Sequence, residues 1–434
     1  MEIYIVQPGD TIYSIANKYG ISISKLLLDN GIENPFNLVT GQALIITYPS
    51  QIYTVKEGDT LAQIAAANGI TIMQLLRNNS FLATRKDIYP GETLVISYNV
   101  KNDIVVNGYA YPFIGNDTLI RTLPYLTYLS IFNYRIAPKG SIITYSDDRN
   151  IIQKAIDYGT IPLLMISSLS PHGETDLETA YDILLNEEYH TILSNNLLAL
   201  LKTTGYYGLN IMISIINNTN QYYYMDLLYD ISIKVRNEGY RLFVTIDPDV
   251  HYVDGVPAHE DIDYARISQL VDGITFLQYS WGNSQKPPAP VCSIELLNHF
   301  IAHTVQTAPS ENITIGKPLL GFDWELPFVP GKTIAHSLTL NAAIILAADV
   351  SAVIKFDEAS QTPFYYYKGI EIGATHEHIV WFIDVRSIDA LDKLIDSFRL
   401  EGSGVWNIMI FYQQMWSLII SKYGIIKLIP DSLE

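Results

Sequence analysis

The chain begins Tyr4-Ile5-Val6-Gln7-Pro8-Gly9-Asp10-Thr11-Ile12-Tyr13-Ser14-Ile15-Ala16, and the pattern returns as Tyr53-Thr54-Val55-Lys56-Glu57-Gly58-Asp59-Thr60-Leu61-Ala62-Gln63-Ile64-Ala65. Tyr, Val, the Gly-Asp-Thr corner and the Ile-Ala pair recur in register. Beyond them Gly20-Ile21 matches Gly69-Ile70, Leu26-Leu27 matches Leu75-Leu76, and Asn30 matches Asn79. After a slip of one residue Gly41 pairs with Gly91, Leu44 with Leu94 and Ile46 with Ile96. Self-similarity of this kind sets the architecture before any other reading. In each copy a short strand precedes a corner, with Asp10 expected as helix N-cap before Ile12, Ile15 and Ala16, and Gly20 expected to end that helix. A second helix carries Leu26, Leu27 and Leu28, and Ala43-Leu44-Ile45-Ile46 reads as a closing strand.

The rest of the chain is long enough for a second, larger domain. Of the 434 residues 48% are hydrophobic and only 17% charged, which suits a large core. The net charge of −18 excludes a general binder of nucleic-acid phosphates, which needs a basic face. No phosphate-binding glycine loop is present, and no cofactor is expected. The single cysteine, Cys292, allows no internal disulfide and reads as a small buried residue. Met1-Glu2-Ile3-Tyr4 leads straight into the first strand, so no secretory signal is expected. No apolar run reaches a membrane span, and Leu338 to Val350 is short enough to be a buried helix.

The doubled corner resembles the LysM module, a βααβ domain that binds glycans containing N-acetylglucosamine. The resemblance implies two modules, 1–49 and 50–98, with Gly9, Asp10, Thr11, Gly58, Asp59 and Thr60 as candidate ligand-binding residues. Glycan-binding modules on a chain without a secretory signal suggest a wall laid down inside the cell, as in a bacterial spore. Cytoplasmic or cell-wall association is the alternative. The implied partners are peptidoglycan or a related glycan, and spore coat or cortex proteins.

From residue 99 onward, apolar runs alternate with helical periodicity. Candidate strands are Gly108–Phe113, Leu126–Arg135, Ile161–Ser167, Gly208–Ile215, Leu242–Asp247, Gly273–Tyr279, Thr314–Phe322 and Gly404–Phe411. Eight such runs predict an α/β fold, a parallel (β/α)8 TIM barrel. The long stretch between the last two, about 331–384, reads as an inserted α+β lobe.

This segment is similar to glycoside hydrolase family 18, in the branch that joins LysM repeats in spore-cortex N-acetylglucosaminidases. The matching stretches are Gly316-x-Pro318-Leu319-x-Gly321-Phe322-Asp323-Trp324, Phe356-Asp357-Glu358-Ala359, Val380-Trp381-Phe382-x-Asp384-x-Arg386-Ser387 and Gln414-x-Trp416-x-Leu418-Ile419. The family hydrolyses by substrate assistance. A Glu ending the fourth strand protonates the glycosidic oxygen, the substrate's N-acetyl carbonyl attacks, and an Asp two residues earlier steadies the oxazolinium ion. The motif is D-x-x-D-x-D-x-E. Here Tyr207, Asn210, Met212 and Ser214 stand at its four positions, and no acid lies between Glu188 and Asp226. Met accepts no proton, and a Ser hydroxyl is too weak an acid for the task.

On the sixth strand Tyr279 matches a family residue that binds the N-acetyl group, and Ser280 replaces an Asp. On the eighth, Ile408 stands where a Trp floors the reacting subsite, with Trp406 two residues earlier on the same face. Tyr279, Asp323 and Trp324 are candidate ligand-binding residues of a remnant cleft, over a floor made apolar by Tyr207, Met212 and Ile408. Asp247 and Asp249 at the end of the fifth strand are expected to solvate or cap a loop. His376, Glu377 and His378 lack metal-site spacing and read as a solvated hairpin tip, so no metal is expected. The functional expectation is a glycan-binding protein whose barrel is catalytically inactive. The alternative is an N-acetylglucosaminidase with a rearranged site.

Overall fold

The computed structural model describes residues 1–85, 87–168, 176–278, 286–371 and 374–432. Each repeat forms the expected βααβ unit. Strands Glu2–Ile5 and Ala43–Ile46 pair antiparallel around helices Ile12–Tyr19 and Ile23–Asn30. Strands Gln51–Thr54 and Thr93–Ser97 do the same around Leu61–Ala67 and Ile72–Asn78. Ile12, Ile15, Ala16, Leu26, Leu44 and Ile46 make the first core. Ile64, Ala65, Leu75, Leu76, Leu94 and Ile96 lie at the matching places of the second. The repeated asparagine explains itself: Asn30 Nδ2 donates to the Leu26 and Ile45 carbonyls while its Oδ1 accepts from Ile45 N–H. Asn79 repeats this with Leu75 and Val95. It staples the last helical turn to the closing strand.

The helix cap differs from expectation. Thr11, not Asp10, is the N-cap, accepting from Ser14 N–H in a reciprocal capping box, and Thr60 does the same with Gln63. Gly20 ends its helix in the left-handed conformation, as expected.

Eight parallel strands close the barrel: β1 (Asn102–Ala110), β2 (Tyr128–Ala137), β3 (Ile161–Ser167), β4 (Gly208–Ile213), β5 (Arg241–Ile246), β6 (Gly273–Phe276), β7 (Ile313–Pro318) and β8 (Gly402–Trp406). β8 pairs back onto β1, Trp406 opposite Tyr109. The interior is layered, as barrel cores are. Val105, Tyr128, Ile161, Leu163 and Phe243 cluster near the N-terminal ends of their strands. Above them runs a polar chain: Ser130 Oγ donates to Asn107, Asn210 Nδ2 donates to Ser130 Oγ, and Thr245 Oγ1 donates to Asn210 Oδ1. The uppermost cluster forms the mouth.

After Pro318 the chain leaves the barrel. Gly321–Leu326 joins His336–Leu338, Lys355–Asp357, Thr362–Glu371 and Ala374–Phe382 in a five-stranded antiparallel sheet, with helix Leu340–Asp349 against it. The apolar run expected to continue the seventh strand to Phe322 therefore divides, its second half belonging to the lobe. The helix expected at 338–350 is present and buries Leu340, Ala343 and Ala347, but leaves Ile345 exposed. No helix among the described residues is long and apolar enough to cross a membrane.

Candidate functional site

At each module's corner the aspartate is held inward. Asp10 accepts from the Tyr4 hydroxyl at 2.6 Å and from Gln7 N–H at 2.7 Å. Asp59 accepts from Tyr53 at 2.9 Å and Lys56 N–H at 2.7 Å. The Tyr4 hydrogen bond, then the backbone one, lowers the Asp10 carboxyl below its usual range. At Asp59 the order of these causes is reversed. The carboxylates thus fix the corner, and what the corner leaves open is the backbone around Gly9 and Gly58. Both glycines have positive φ and open space where a side chain would stand.

The modules differ on the facing loop. Gly41 packs so closely on the lobe that an added Cβ would lie 1.9 Å from the Ile354 carbonyl oxygen, and Val39 is buried in the lobe's core. Ile354 N–H donates to the Thr40 carbonyl, and Arg386 to that of Gly41. At the equivalent places of the second module Gly91 meets nothing within 4 Å and Tyr89 is 54% exposed.

In the barrel mouth Tyr109, Met165, Met212 and Leu277 form one buried apolar cluster, with Phe132 and Trp406 packed on it. The strand that would carry the acid pair thus contributes a thioether to a packed core. Ser214 follows the end of β4, its Oγ buried without a hydrogen-bond partner among the described residues. Asn210, lower on the same strand, is locked in the polar chain. Tyr207 precedes β4 at its N-terminal end and is 41% exposed, so it forms no part of the mouth floor. Ile408 is buried in the large core shared with Leu126. Trp406 is the aromatic of β8 in the mouth, its ring 5.6 Å from that of Tyr109. The expectation that Ile408 shares this face is not met, because β8 ends at Trp406 and Ile408 lies beyond the strand in the large core.

The remaining candidates are dispersed. Tyr279 and Ser280 lie outside the described residues. Asp323 is buried in the lobe, accepting from Tyr367 at 2.6 Å and paired with His378 Nδ1 at 3.0 Å. Trp324 is 5% exposed, packs against Phe322 and donates its indole N–H to the Lys286 carbonyl. His376 pairs with Glu325. The His378 ring is buried and stacked on Tyr367, so the expected solvated tip is instead a row of cross-strand pairs. Asp247 is half-buried just past β5, and Asp249 is exposed, 3.7 Å from His251. Cys292 is buried, and burial pushes its thiol up to about 12.

Two carboxylates with unusual surroundings escaped the sequence reading. Burial raises Glu401 to about 7, but Glu401 sits before β8, at the end of the barrel away from the mouth. Asp148 is saturated by Asn133, Tyr134 and Tyr206, whose two rings belong to the large core. Neither stands in the mouth cluster.

The LysM domain matches residues 4–47 and 53–97, and Glycosyl hydrolases family 18 matches residues 167–409, more than half of the chain. The chain belongs to glycosyl hydrolase family 18. It is 30% identical to the Cortical fragment-lytic enzyme of Bacillus subtilis (strain 168), over 98% of this chain and 99% of that one. The crystal structure of the Bacillus cereus spore cortex-lytic enzyme SleL superposes with a TM-score of 0.77 at 27% identity, covering 98% of this chain and 99% of that one. A chitinase from Chromobacterium violaceum shares the barrel fold at 16% identity, with a TM-score of 0.64 over 73% of this chain and 98% of that one. The first two of these matches run over the two repeats and the family 18 barrel together.

Proposed function

We propose that this chain binds peptidoglycan, or a related N-acetylglucosamine glycan, of a bacterial spore without cleaving it. The observation that carries this reading is β4 and its end, which hold no Asp or Glu: Met212 is packed in the mouth cluster and Ser214 follows, the two residues that the motif resemblance sets at the stabilising Asp and the acid Glu. Removing a general acid alone typically costs ~10²–10⁴-fold in rate. Function resides in the site rather than the fold. Both module corners keep the same glycine backbone, threonine cap and tyrosine–aspartate latch, which supports retained glycan recognition. Two linked modules on one polymer gain from effective concentration. Full-length relatives named for lysis of spore cortex support the choice of glycan and of the spore as location.

Co-sedimentation of the full chain with insoluble cortex peptidoglycan, followed by analysis of the supernatant for fragments, tests the reading. The expected result is depletion of the protein with no fragments released. Absence of binding would refute it, and fragments in the supernatant would favour an N-acetylglucosaminidase with a rearranged site.

A further inference from the structure

Between the two modules and helix Gln413–Lys422 lies a cleft of about 1060 Å³. Its volume is at the upper end of small-molecule sites. None of the corner residues Gly9, Asp10, Thr11, Gly58, Asp59 or Thr60 lines it, so it is a separate surface. The lining mixes hydroxyls and amides with aromatic faces, including Ser24, Tyr48, Phe81 and Gln413.

Its charges are nearly all spent. Lys25 pairs with Asp29 at 2.7 Å. Arg85 makes a two-pronged pair with Glu92 at 2.8 and 2.7 Å. The remaining charged group of the lining is Arg77, in the last turn of Ile72–Asn78. Its carbonyl accepts from the Tyr125 hydroxyl, but its guanidinium has no hydrogen-bond or ion-pair partner among the described residues. Tyr125 and Asp103 act on it only through space, and burial lowers it to about 10, so it stays charged at neutral pH. A half-buried guanidinium carries five donors in a rigid fork suited to a carboxylate. No Arg77 side-chain nitrogen is both fully buried and unpartnered, so its donors still meet water, and a carboxylate in the cleft can replace that water with charge-assisted hydrogen bonds.

We propose that this cleft takes the peptide-bearing, carboxylate-containing part of a peptidoglycan strand, with the acid on Arg77 and the sugar or peptide along the aromatic and hydroxyl wall. This rests on the reading of the chain as a peptidoglycan binder and deepens it. Neutral chitin would find the wall but not the charge.

Calorimetric titration of the full chain with N-acetylmuramyl-alanyl-isoglutamine, with the free dipeptide and with chitotetraose tests it. The muramyl dipeptide should bind about tenfold or more tighter than chitotetraose, as charge-assisted hydrogen bonds allow. Arg77→Gln should remove that advantage, Arg77→Lys should restore part of it, and chitotetraose binding should be unchanged in both. Ser24→Trp, at an exposed helix position on the cleft wall, should block the muramyl ligand without touching Arg77. Equal affinity for the two sugars, or muramyl binding indifferent to both Arg77→Gln and Ser24→Trp, would overturn the proposal. The free dipeptide binding as tightly as the muramyl compound would overturn the sugar component. Whole peptidoglycan still sedimenting the variants would show that the cleft alone had failed; no sedimentation of the unaltered protein would sink the broader reading.

Discussion

The module corners and the barrel mouth are built in opposite ways. At the corners, polar side chains are committed to holding backbone, and the surface toward solvent stays open at Gly9 and Gly58. In the mouth, the side chains themselves close ranks: Tyr109, Met165, Met212 and Leu277 are almost wholly excluded from water. A corner of the first kind keeps its shape if its latch is kept. A mouth of the second kind is packed as core. The difference teaches that the two regions use polar side chains differently: the corners spend them on the backbone, and the mouth layer holds almost none.

The largest expected effect breaks this comparison if it fails. Met212→Ala should destabilise the barrel by about 2–5 kcal/mol, the usual cost of emptying a packed site, while peptidoglycan co-sedimentation stays unchanged. A denaturant melt showing almost no loss would mean that Met212 borders an open subsite. Next comes a contrast within the modules. Gly41 and Gly91 both have positive φ, so alanine at either should cost about 1 kcal/mol. Gly41→Ala must also push against Ile354, adding ~1–3 kcal/mol for overpacking. Equal melting shifts for the two variants would remove the asymmetry between a Gly41 loop docked on the lobe and an open Gly91 loop.

The smallest effect concerns pH. Asp10 and Asp59 titrate lower in the fold than in a free chain. The stabilisation they supply is therefore complete above the unfolded value of about 3.9 and lost as pH falls through the lower folded value. Both lie near the surface, so only a modest extra loss of module stability is expected on going from about pH 5 to about pH 3. Asp59→Asn should flatten it for the second module. A module melt that strengthens with acid would contradict the latch.

The repeats and the eight barrel strands were legible because each is written in local spacing. Asn30 and Asn79 were visible as a pair, although their stapling role required the strand opposite. Other features depended on neighbours far along the chain. The commitment of Asp323 to Tyr367 and His378 arises from antiparallel register in the lobe, and Trp324 is buried by the same sheet. Asp10 and Thr11 are both good capping residues, and it is the Tyr4 hydroxyl together with Gln7 N–H that turns Asp10 away from the helix. The choice between Trp406 and Ile408 turns on where β8 ends, which a motif does not encode. Arg77 carried no signal in the sequence, because the cleft it lines is assembled from both modules and the distant helix Gln413–Lys422.

The central claim is that this family 18 barrel does not cleave its glycan. The most direct measurement is the time course of reducing-end release from purified cortex peptidoglycan by the full chain, beside an active family 18 N-acetylglucosaminidase. The account predicts a trace indistinguishable from buffer at protein concentrations that saturate binding. Steady release proportional to enzyme, abolished by Asp247→Asn or Asp249→Asn, would contradict it and reveal acids relocated to the end of β5.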